Sequence, residues 1–305
     1  MTRVVVTGGS GRLGRSVVAR LAADGAEVVS LDLGADERLP VEQEAIDLTR
    51  IDDVRATFLR LRPDAVVHLA AIAVPFSAPA DRMLTTNVTL AFNVIHTAVE
   101  LGIPRIITAS SPTVIGYGSP SGWTPERLPL DEDSPVAPWN AYSLSKLVVE
   151  QIVRSEVARV GDAVRIASFR PCFVIAPEEW LGAPTQQGHR VVDRLDEPTL
   201  AAPALFNYVD ARDAGSFVSI LLDALPAIPN AQNFFVGAAD ALARAPLSEL
   251  LPRFVPGISA AAAAPLTGTT PAFSIDKARR ILGWEPMRSW RSELALAEPT
   301  PRELA

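Results

Sequence analysis

The sequence has very little cysteine and histidine, and this scarcity excludes two common ways of holding a fold or a metal. Its 305 residues include one cysteine and three histidines. A single cysteine, Cys172, cannot form an internal disulfide. His68, His96 and His189 are too scattered along the chain to give the ligand spacing of a zinc site. We therefore expect no metal centre, and we expect Cys172 to be a small buried apolar group.

Long apolar runs and an excess of positive charge are also missing. No window approaches the roughly 20 apolar residues that span a bilayer, and the first residues lack the features of a signal peptide. The net charge is -7, the pI is near 5.1, and no block of Lys or Arg offers a surface for nucleic acid. These absences predict a cytoplasmic protein that binds neither membranes nor nucleic acid.

What the chain does contain is a regular alternation of strands and helices in its first half. Apolar, β-branched runs occupy residues 4–7, 27–31, 64–69, 105–108 and 164–168. Helices are predicted over residues 12–23, 51–61, 83–101 and 141–160. Continuous apolar strands are typical of a parallel sheet that is covered on both faces. The predicted fold class is therefore α/β, a doubly wound parallel sheet of the Rossmann type with a smaller C-terminal substrate lobe.

A glycine-rich segment lies where the first strand passes into the first helix. Gly8 permits a tight turn, Gly11 lets the backbone approach a pyrophosphate, and Gly14 lets the helix lie close to the strand. The free N–H groups at the helix N-terminus then face the phosphates. The predicted cofactor contacts in this loop are Gly8, Ser10, Gly11, Arg12, Leu13 and Gly14.

An acidic residue closes the second strand. Asp32 follows the loop by roughly 20 residues, where a carboxylate can bond the adenosine ribose and repel a 2′-phosphate. The sequence therefore predicts NAD rather than NADP as the cofactor. Arg12 provides the alternative, because a guanidinium near the ribose can receive a 2′-phosphate.

Prolines interrupt the regular pattern after residue 171, and only short helices or strands are expected between them. We predict an NAD-binding domain over residues 1–172, which a segment near 205–237 rejoins, and a substrate-binding lobe over 173–204 and 238–305. Residues 256–271 contain five consecutive alanines and suit either a linker or a helix.

Three polar side chains form a candidate catalytic group. Tyr142 and Lys146 stand one turn apart in a predicted helix, so they share a face. A nearby ammonium and a positive nicotinamide favour the ionised phenol, and Tyr142 is predicted to take a proton from a substrate hydroxyl. Lys146 is also expected to bond the nicotinamide ribose. Ser111 follows the strand at 105–108 and is expected to donate to the reacting oxygen.

With these motifs the chain resembles the extended short-chain dehydrogenase/reductases, specifically the NAD-dependent epimerase/dehydratase family, over essentially its whole length. The glycines have the GxxGxxG spacing of that group. Two C-terminal landmarks, at residues 208–213 and 282–286, also match. The resemblance implies a homodimer built from two long helices of each subunit.

The resemblance also assigns roles to individual residues. It places Asp47 and Leu48 around the adenine. It also identifies Asn87 as the family's structural asparagine and includes it among the cofactor-binding residues. Counting back from Val114-Ile115-Gly116, the counterpart of the family's Val-Tyr-Gly, selects Ser111 rather than Ser110 as the catalytic serine. Ser110 then points elsewhere or contacts the cofactor. The remaining implied cofactor contacts are Leu69, Ala70, Ala71 and Pro171.

Departures from the family's patterns narrow the reaction. Ser111-Pro112-Thr113 replaces the Thr-Asp-Glu of the dehydratases, which argues against dehydration. Phe206 replaces an arginine of the nucleotide-sugar epimerases, and residues 265–270 lack a second one, so we favour a substrate without a nucleotide. Ile115-Gly116 is similar to NAD-dependent uronate dehydrogenases, and only the reaction type is carried over from them. Candidate substrate contacts in the variable loops are Ser77, Tyr117, Trp180, Gln186, His189 and Arg190.

Three functions remain open from the sequence. The first is an NAD-dependent oxidoreductase that acts on a CH–OH group of a small, carbohydrate-like molecule. The second is a nucleotide-sugar 4-epimerase, which uses the same trio for a transient oxidation and releases no net NADH. The third is a non-catalytic NAD-sensing protein, which the presence of Tyr142 and Lys146 disfavours.

Overall fold

A computed structural model describes residues 1–297 of the chain. It contains nine strands: β1 (Arg3–Thr7), β2 (Glu27–Asp32), β3 (Glu42–Ala45), β4 (Ala65–His68), β5 (Arg105–Ala109), β6 (Arg165–Pro171), β7 (Val174–Ile175), β8 (Val209–Asp210) and β9 (Gln232–Val236). The helices of the first two thirds are α1 (Arg12–Ala23), α2 (Ile51–Leu61), α3 (Ala80–Glu100), α4 (Ala141–Val160), α5 (Pro177–Trp180), α6 (Val191–Asp196) and α7 (Pro198–Ala201). The later helices are α8 (Ala211–Ala224), α9 (Leu247–Phe254), α10 (Ala260–Ala263), α11 (Asp276–Leu282) and α12 (Trp290–Ala297).

Seven of these strands form one parallel sheet in the order β3-β2-β1-β4-β5-β6-β9. Successive residues of β1 point to opposite faces: Val4 and Val6 pack with the buried side chains of α1 and α8, whereas Val5 packs with those of α2, α3 and α4. Helices therefore cover both faces, and the doubly wound Rossmann-type sheet is confirmed. The strand order reverses between β1 and β4, which is where such sheets bind ligands.

The predicted helices α1, α2 and α4 have the bounds that the sequence indicated. The start of α4 is fixed by Asn140, whose side chain accepts a hydrogen bond of 2.9 Å from the Ser143 amide. The prediction for α3 was one turn short, because this helix begins at Ala80 directly after Pro79 and ends at Glu100. Pro79 ends the preceding loop in an extended conformation, which suits the residue before a helix.

The second half contains one long helix that the sequence analysis missed. Prolines are absent between Pro203 and Pro226, and this gap accommodates the 14 residues of α8, which packs against α1. Strand β9 then adds to the edge of the main sheet, and β7 and β8 form a separate pair. The alanine run forms a single turn, α10, which Ser259 caps and which ends before Pro265. The predicted domain boundaries remain a prediction.

Among the described residues, no helix is both long enough and apolar enough to cross a bilayer. Within the same residues, no group of three or more His, Cys, Asp or Glu side chains is arranged to hold a metal ion. Cys172 is 3% exposed, in agreement with its predicted role as a buried apolar group.

Candidate active site

A cavity of about 840 Å³ lies at the carboxyl ends of the central strands. At one end it is lined by the glycine loop and Asp32, and at the other by residues that follow β6 and by helix α6. The lining also includes the three candidate catalytic residues, Ser111, Tyr142 and Lys146. The fold thus brings the predicted cofactor and catalytic residues to one cavity, although they are spread over more than half of the chain.

The glycine loop leaves no room for side chains between β1 and α1. Gly8 has φ +74°, and a Cβ there would lie 2.6 Å from the Ala70 amide nitrogen. A Cβ at Gly14 would overlap the Gly8 carbonyl oxygen. The bare backbone, the N-terminus of α1 and the Leu69-Ala70-Ala71 segment therefore form a cradle of the kind that accepts a pyrophosphate. These residues fit a dinucleotide.

Asp32 lies at the end of β2 beside this loop. Its Oδ2 accepts a hydrogen bond of 3.1 Å from the Ser10 amide, and its Oδ1 accepts one of 2.8 Å from the Leu33 amide. Asp32, Asp47 and Leu48 all line the cavity, as a ribose and adenine site requires. Ser10 lies behind the lining, where its hydroxyl donates to the Gly34 carbonyl.

Arg12 is paired with an acid of the C-terminal half. Its guanidinium forms an ion pair with Glu179 of α5, whose side chain is 1% exposed. Burial lowers the pKa of Arg12, and the negative charge of Glu178 opposes this effect. Arg12 lines the cavity while it ties α1 to α5. This contact argues against the alternative in which Arg12 receives a 2′-phosphate.

Ser111, Tyr142 and Lys146 sit where β5 ends and α4 begins. Ser111 caps a short 3₁₀ helix (Pro112–Ile115), and its hydroxyl accepts a hydrogen bond of 2.9 Å from the Thr113 hydroxyl. Lys146 donates to the Ala109 carbonyl at 3.0 Å, and its Nζ lies 5.8 Å from the centre of the Tyr142 ring. Because β5 supplies the carbonyl and α4 supplies the lysine, the trio is fixed by the packing of one strand against one helix.

Burial controls the protonation of this trio. It raises the pKa of Tyr142, and a hydrogen bond with Ser111 acts in the opposite direction. It lowers the pKa of Lys146 to about 8. In the free protein the phenol is therefore protonated at neutral pH, and its use as a base requires added positive charge beside it.

A buried ion pair lies directly behind the trio. The Arg170 guanidinium donates to both carboxylate oxygens of Glu150, at 2.8 and 2.9 Å, and both side chains are 2% exposed. Ser110 also donates to Glu150, at 2.6 Å. The Ser110 hydroxyl is therefore engaged by Glu150, which favours the first of its two predicted alternatives, although the residue also contributes to the cavity lining. The pair joins the ends of β5 and β6 to α4.

Asn87 supports the site from behind. Its amide accepts from the Ile72 amide at 2.7 Å and donates to the Ile72 carbonyl and to the Ser145 hydroxyl, each at 3.2 Å. The side chain is buried and lies outside the cavity lining. Asn87 thus holds the loop after β4 against α4, as a structural asparagine does. Its side chain does not reach the cavity in which the cofactor is expected.

The substrate end of the cavity differs in part from the prediction. Tyr117 and Gln186 line it, together with Pro171. Trp180 is buried and donates to Asp210 at 2.7 Å, and Arg190 is exposed and pairs with Asp193. Four of the six candidates lie outside the lining: Ser77, Trp180, His189 and Arg190.

Several residues that line the substrate end were not predicted from the sequence. Gln187 and Arg194 approach from the loop before α6 and from α6 itself, and Phe173 follows β6. Trp139 precedes α4, and its indole donates to the Tyr117 carbonyl at 3.1 Å. The only signal available in the sequence was the position of Arg194, four residues after Arg190 in a predicted variable region.

The sequence model of the NAD dependent epimerase/dehydratase family matches residues 4–237. The chain belongs to this family. The predicted family resemblance and NAD as the family's cofactor are thereby confirmed.

Among curated relatives, this family member is similar to a UDP-glucose 4-epimerase of Azospirillum brasilense, at 33% identity over 52% of this chain and 46% of that protein. The chain thus matches only about half of the length of that relative. It is also 31% identical to a uronate dehydrogenase of Agrobacterium fabrum, over 67% of this chain and 74% of the other. A UDP-glucose 4-epimerase of Mycolicibacterium smegmatis is 29% identical over 97% of this chain and 95% of that protein.

Solved structures share the fold of this family member. A UDP-glucose 4-epimerase from Thermotoga maritima superimposes with a TM-score of 0.73 at 18% identity, over 97% of each chain. A short-chain dehydrogenase/reductase superfamily protein from Agrobacterium tumefaciens, with bound NAD, gives a TM-score of 0.71 at 24% identity over 97% of this chain and 95% of that chain.

Proposed function

We propose that the protein is an NAD-dependent oxidoreductase that oxidises a CH–OH group of a small, carbohydrate-like substrate without a nucleotide, or reduces the matching carbonyl. The observation that carries this proposal is that Ser111, Tyr142 and Lys146 line one cavity with the glycine loop and Asp32. A hydroxyl placed at Ser111 and Tyr142 would therefore be close to both a proton acceptor and the cofactor.

Each residue of the site has a distinct role in this reaction. Tyr142 accepts the hydroxyl proton as general base, and Ser111 holds the reacting oxygen as charge develops on it. Lys146 lies 5.8 Å from the centre of the Tyr142 ring and supplies positive charge that favours the ionised phenol. The glycine loop, Asp32, Asp47 and Leu48 would hold the dinucleotide. NAD, when bound, supplies the oxidant that removes the hydrogen and electron pair from carbon.

The absence of a nucleotide in the substrate is supported by the arginines of the second half. Phe206 is 1% exposed and apolar where the nucleotide-sugar epimerases have an arginine. Arg212 is committed to Asp210 and Glu293, and Arg253 lies over the Phe254 ring. Among the arginines of the second half that the structure describes, Arg194 alone lines the cavity, so a diphosphate would lose the hydration of two phosphates with one charge-assisted donor group in return.

A nucleotide-sugar 4-epimerase is the second candidate. It is favoured by one observation, the match over nearly the full length to a curated UDP-glucose 4-epimerase. The same trio would then oxidise the sugar transiently and return the hydrogen to the opposite face, with no net NADH.

Incubation of the protein and NAD with free sugars, sugar acids and UDP-sugars separates the two candidates. We expect NADH absorbance to rise with a nucleotide-free compound, and neither turnover nor binding of UDP-glucose. Micromolar binding of UDP or UDP-glucose by calorimetry, or interconversion of UDP-sugars without NADH release, would replace the oxidoreductase with the epimerase.

A homodimer is part of the same proposal. Phe92 on α3 and Leu144 on α4 are 42% and 40% exposed, although both are apolar, and two-fold dimers are the commonest oligomers. Light scattering should give twice the mass of the 32.6 kDa chain, and a monomeric mass would contradict it. A cytoplasmic location also belongs to the proposal, based on the free buried thiol of Cys172.

A further inference from the structure

Arg194 is a buried cation inside the cavity that no acid neutralises within residues 1–297. The residue is 1% exposed, yet it contributes to the cavity lining. No carboxylate among the described residues lies within ion-pair distance of its guanidinium, whereas Arg190, Arg212 and Arg244 each have at least one. Its Nε is buried and makes no hydrogen bond.

The contacts that Arg194 does make hold it in place without cancelling its charge. Its guanidinium carbon lies 4.1 Å from the centre of the Phe173 ring, and its Nη1 donates to the Gln187 side-chain oxygen at 2.5 Å. Burial lowers its pKa to about 10, so the group remains a cation at neutral pH. An uncompensated buried charge costs stability, and a structural role alone would not require one at this point.

We infer that Arg194 and the amide of Gln187 receive a carboxylate group of the substrate, which makes the substrate a sugar acid or a similar polyhydroxy acid. This inference rests on the proposed function and names its substrate class. A guanidinium fork matches a carboxylate in shape. The Gln187 oxygen already accepts from Arg194, so its NH₂ group is left to donate to the same anion.

The surroundings of Arg194 fit a single carboxylate better than a diphosphate. Phe173 and Tyr117 flank this end of the cavity with aromatic rings, and Cys172 adds a buried apolar surface. Phe173 is two residues beyond Pro171, which the resemblance places beside the nicotinamide. A substrate that spans the cavity would therefore have its carboxylate at Arg194 and its reacting CH–OH at Tyr142.

The experiment compares three classes of ligand with four proteins. The ligands are glucuronate and galacturonate, the hexoses glucose and galactose, and the corresponding hexose 6-phosphates. The proteins are the wild type, Arg194→Met, Arg194→Lys and Arg190→Met. Arg190→Met is the matched control, since it removes a cation four residues away that is exposed and outside the cavity. Binding to the NADH-loaded proteins is measured by calorimetry, and turnover by NADH formation.

We expect the wild type to bind a hexuronate more tightly than the hexose or the phosphate. Arg194→Met should weaken hexuronate binding about 10- to 100-fold, the effect of one charge-assisted hydrogen-bonding group. Arg194→Lys should restore part of it, and Arg190→Met should change it less than about twofold. The ratio of hexuronate to hexose kcat/KM within each preparation is independent of the fraction of folded protein, and it should fall only in the Arg194 variants.

Four results would overturn the assignment of Arg194: equal hexuronate binding by Arg194→Met and the wild type, preference of the wild type for hexoses, preference for phosphates, or no binding of either hexuronate. The proposed function fails separately. Hexuronates oxidised with net NADH at a rate unaffected by Arg194→Met would remove the carboxylate site and leave the oxidoreductase intact. UDP-sugar interconversion without NADH would remove the oxidoreductase, whatever the hexuronate binding shows.

Discussion

Replacement of Arg170 by methionine should destabilise the protein strongly, because it strands a buried charge. Arg170 and Glu150 are each 2% exposed, and two hydrogen bonds of 2.8 and 2.9 Å join them. Breaking such a pair on one side costs about 3–5 kcal/mol. With an unfolding entropy of roughly 2.1 cal/mol/K per residue over 305 residues, this predicts a fall in Tm of about 5–8 °C.

The dependence of this effect on pH tests its cause. Burial would raise the pKa of Glu150, but the hydrogen bonds and charge of Arg170 hold it below the usual value of 4.5. In the wild type Glu150 therefore stabilises the fold above its unfolded pKa, and this contribution is lost as the pH falls through the folded value. In Arg170→Met the Arg170 charge no longer opposes the effect of burial, so the pKa of Glu150 in the folded state rises. Protonation of Glu150 then relieves the buried charge, and the variant gains stability on acidification. The difference in Tm should shrink between about pH 7 and about pH 4.

Thermal unfolding of four proteins gives the measurement. Glu150→Leu combined with Arg170→Met removes both charges and should recover most of the lost Tm, since a buried pair is often replaceable by apolar groups. Arg50→Ala is the control for a surface pair, because Arg50 and Asp53 are 70% and 46% exposed; its Tm should change little. An unchanged Tm in Arg170→Met, or a double variant no better than the single one, would refute this reasoning.

The remaining predictions concern the cofactor and the trio. Tyr142→Phe should abolish nearly all turnover with NAD affinity retained, whereas Lys146→Ala should reduce both; normal turnover of the first variant would exclude Tyr142 as the base. The wild type should bind NAD more tightly than NADP, and Asp32→Asn should narrow that preference in paired titrations; tighter binding of NADP by the wild type would contradict the role of Asp32. Gly8→Ala should weaken NAD binding at least about tenfold because its Cβ meets Ala70, whereas Gly25→Ala, with φ +88° but open space around it, should leave NAD binding unchanged.

Much of the fold and of the candidate site was accessible from the sequence because its signals are local. The β-branched runs and the capped helices α1, α2 and α4 follow from residues that are neighbours in the chain. Tyr142 and Lys146 are one turn apart, so helical periodicity alone places them together. Helix α8 was not predicted because the many prolines after residue 171 indicated short elements throughout, whereas the interval between Pro203 and Pro226 contains none.

The partner of Ser110 could not be read from the sequence for a different reason. Glu150 is forty residues away from it and Arg170 twenty further on, and only the packing of β5, α4 and β6 brings the three together. Nothing in the local pattern around Ser110 indicates a buried acid. The sequence therefore left two orientations open for this side chain, and tertiary structure was needed to select one.

The contrast between Arg190 and Arg194 shows why charge in a variable region cannot be assigned from sequence. The two arginines are four residues apart: Arg190 directly precedes the short helix α6, and Arg194 lies in its last turn. Arg190 meets Asp193 three residues later and stays in solvent, so its charge is neutralised locally. Arg194 has Phe173 and Gln187 for neighbours, and the described part of the chain gives it no acid. A cation removed from water without a partner is costly, and a bound carboxylate would offset that cost in the loaded enzyme. Arg194 is thus distinguished from Arg190 by the missing acidic partner, and only the folded structure shows that this partner is missing.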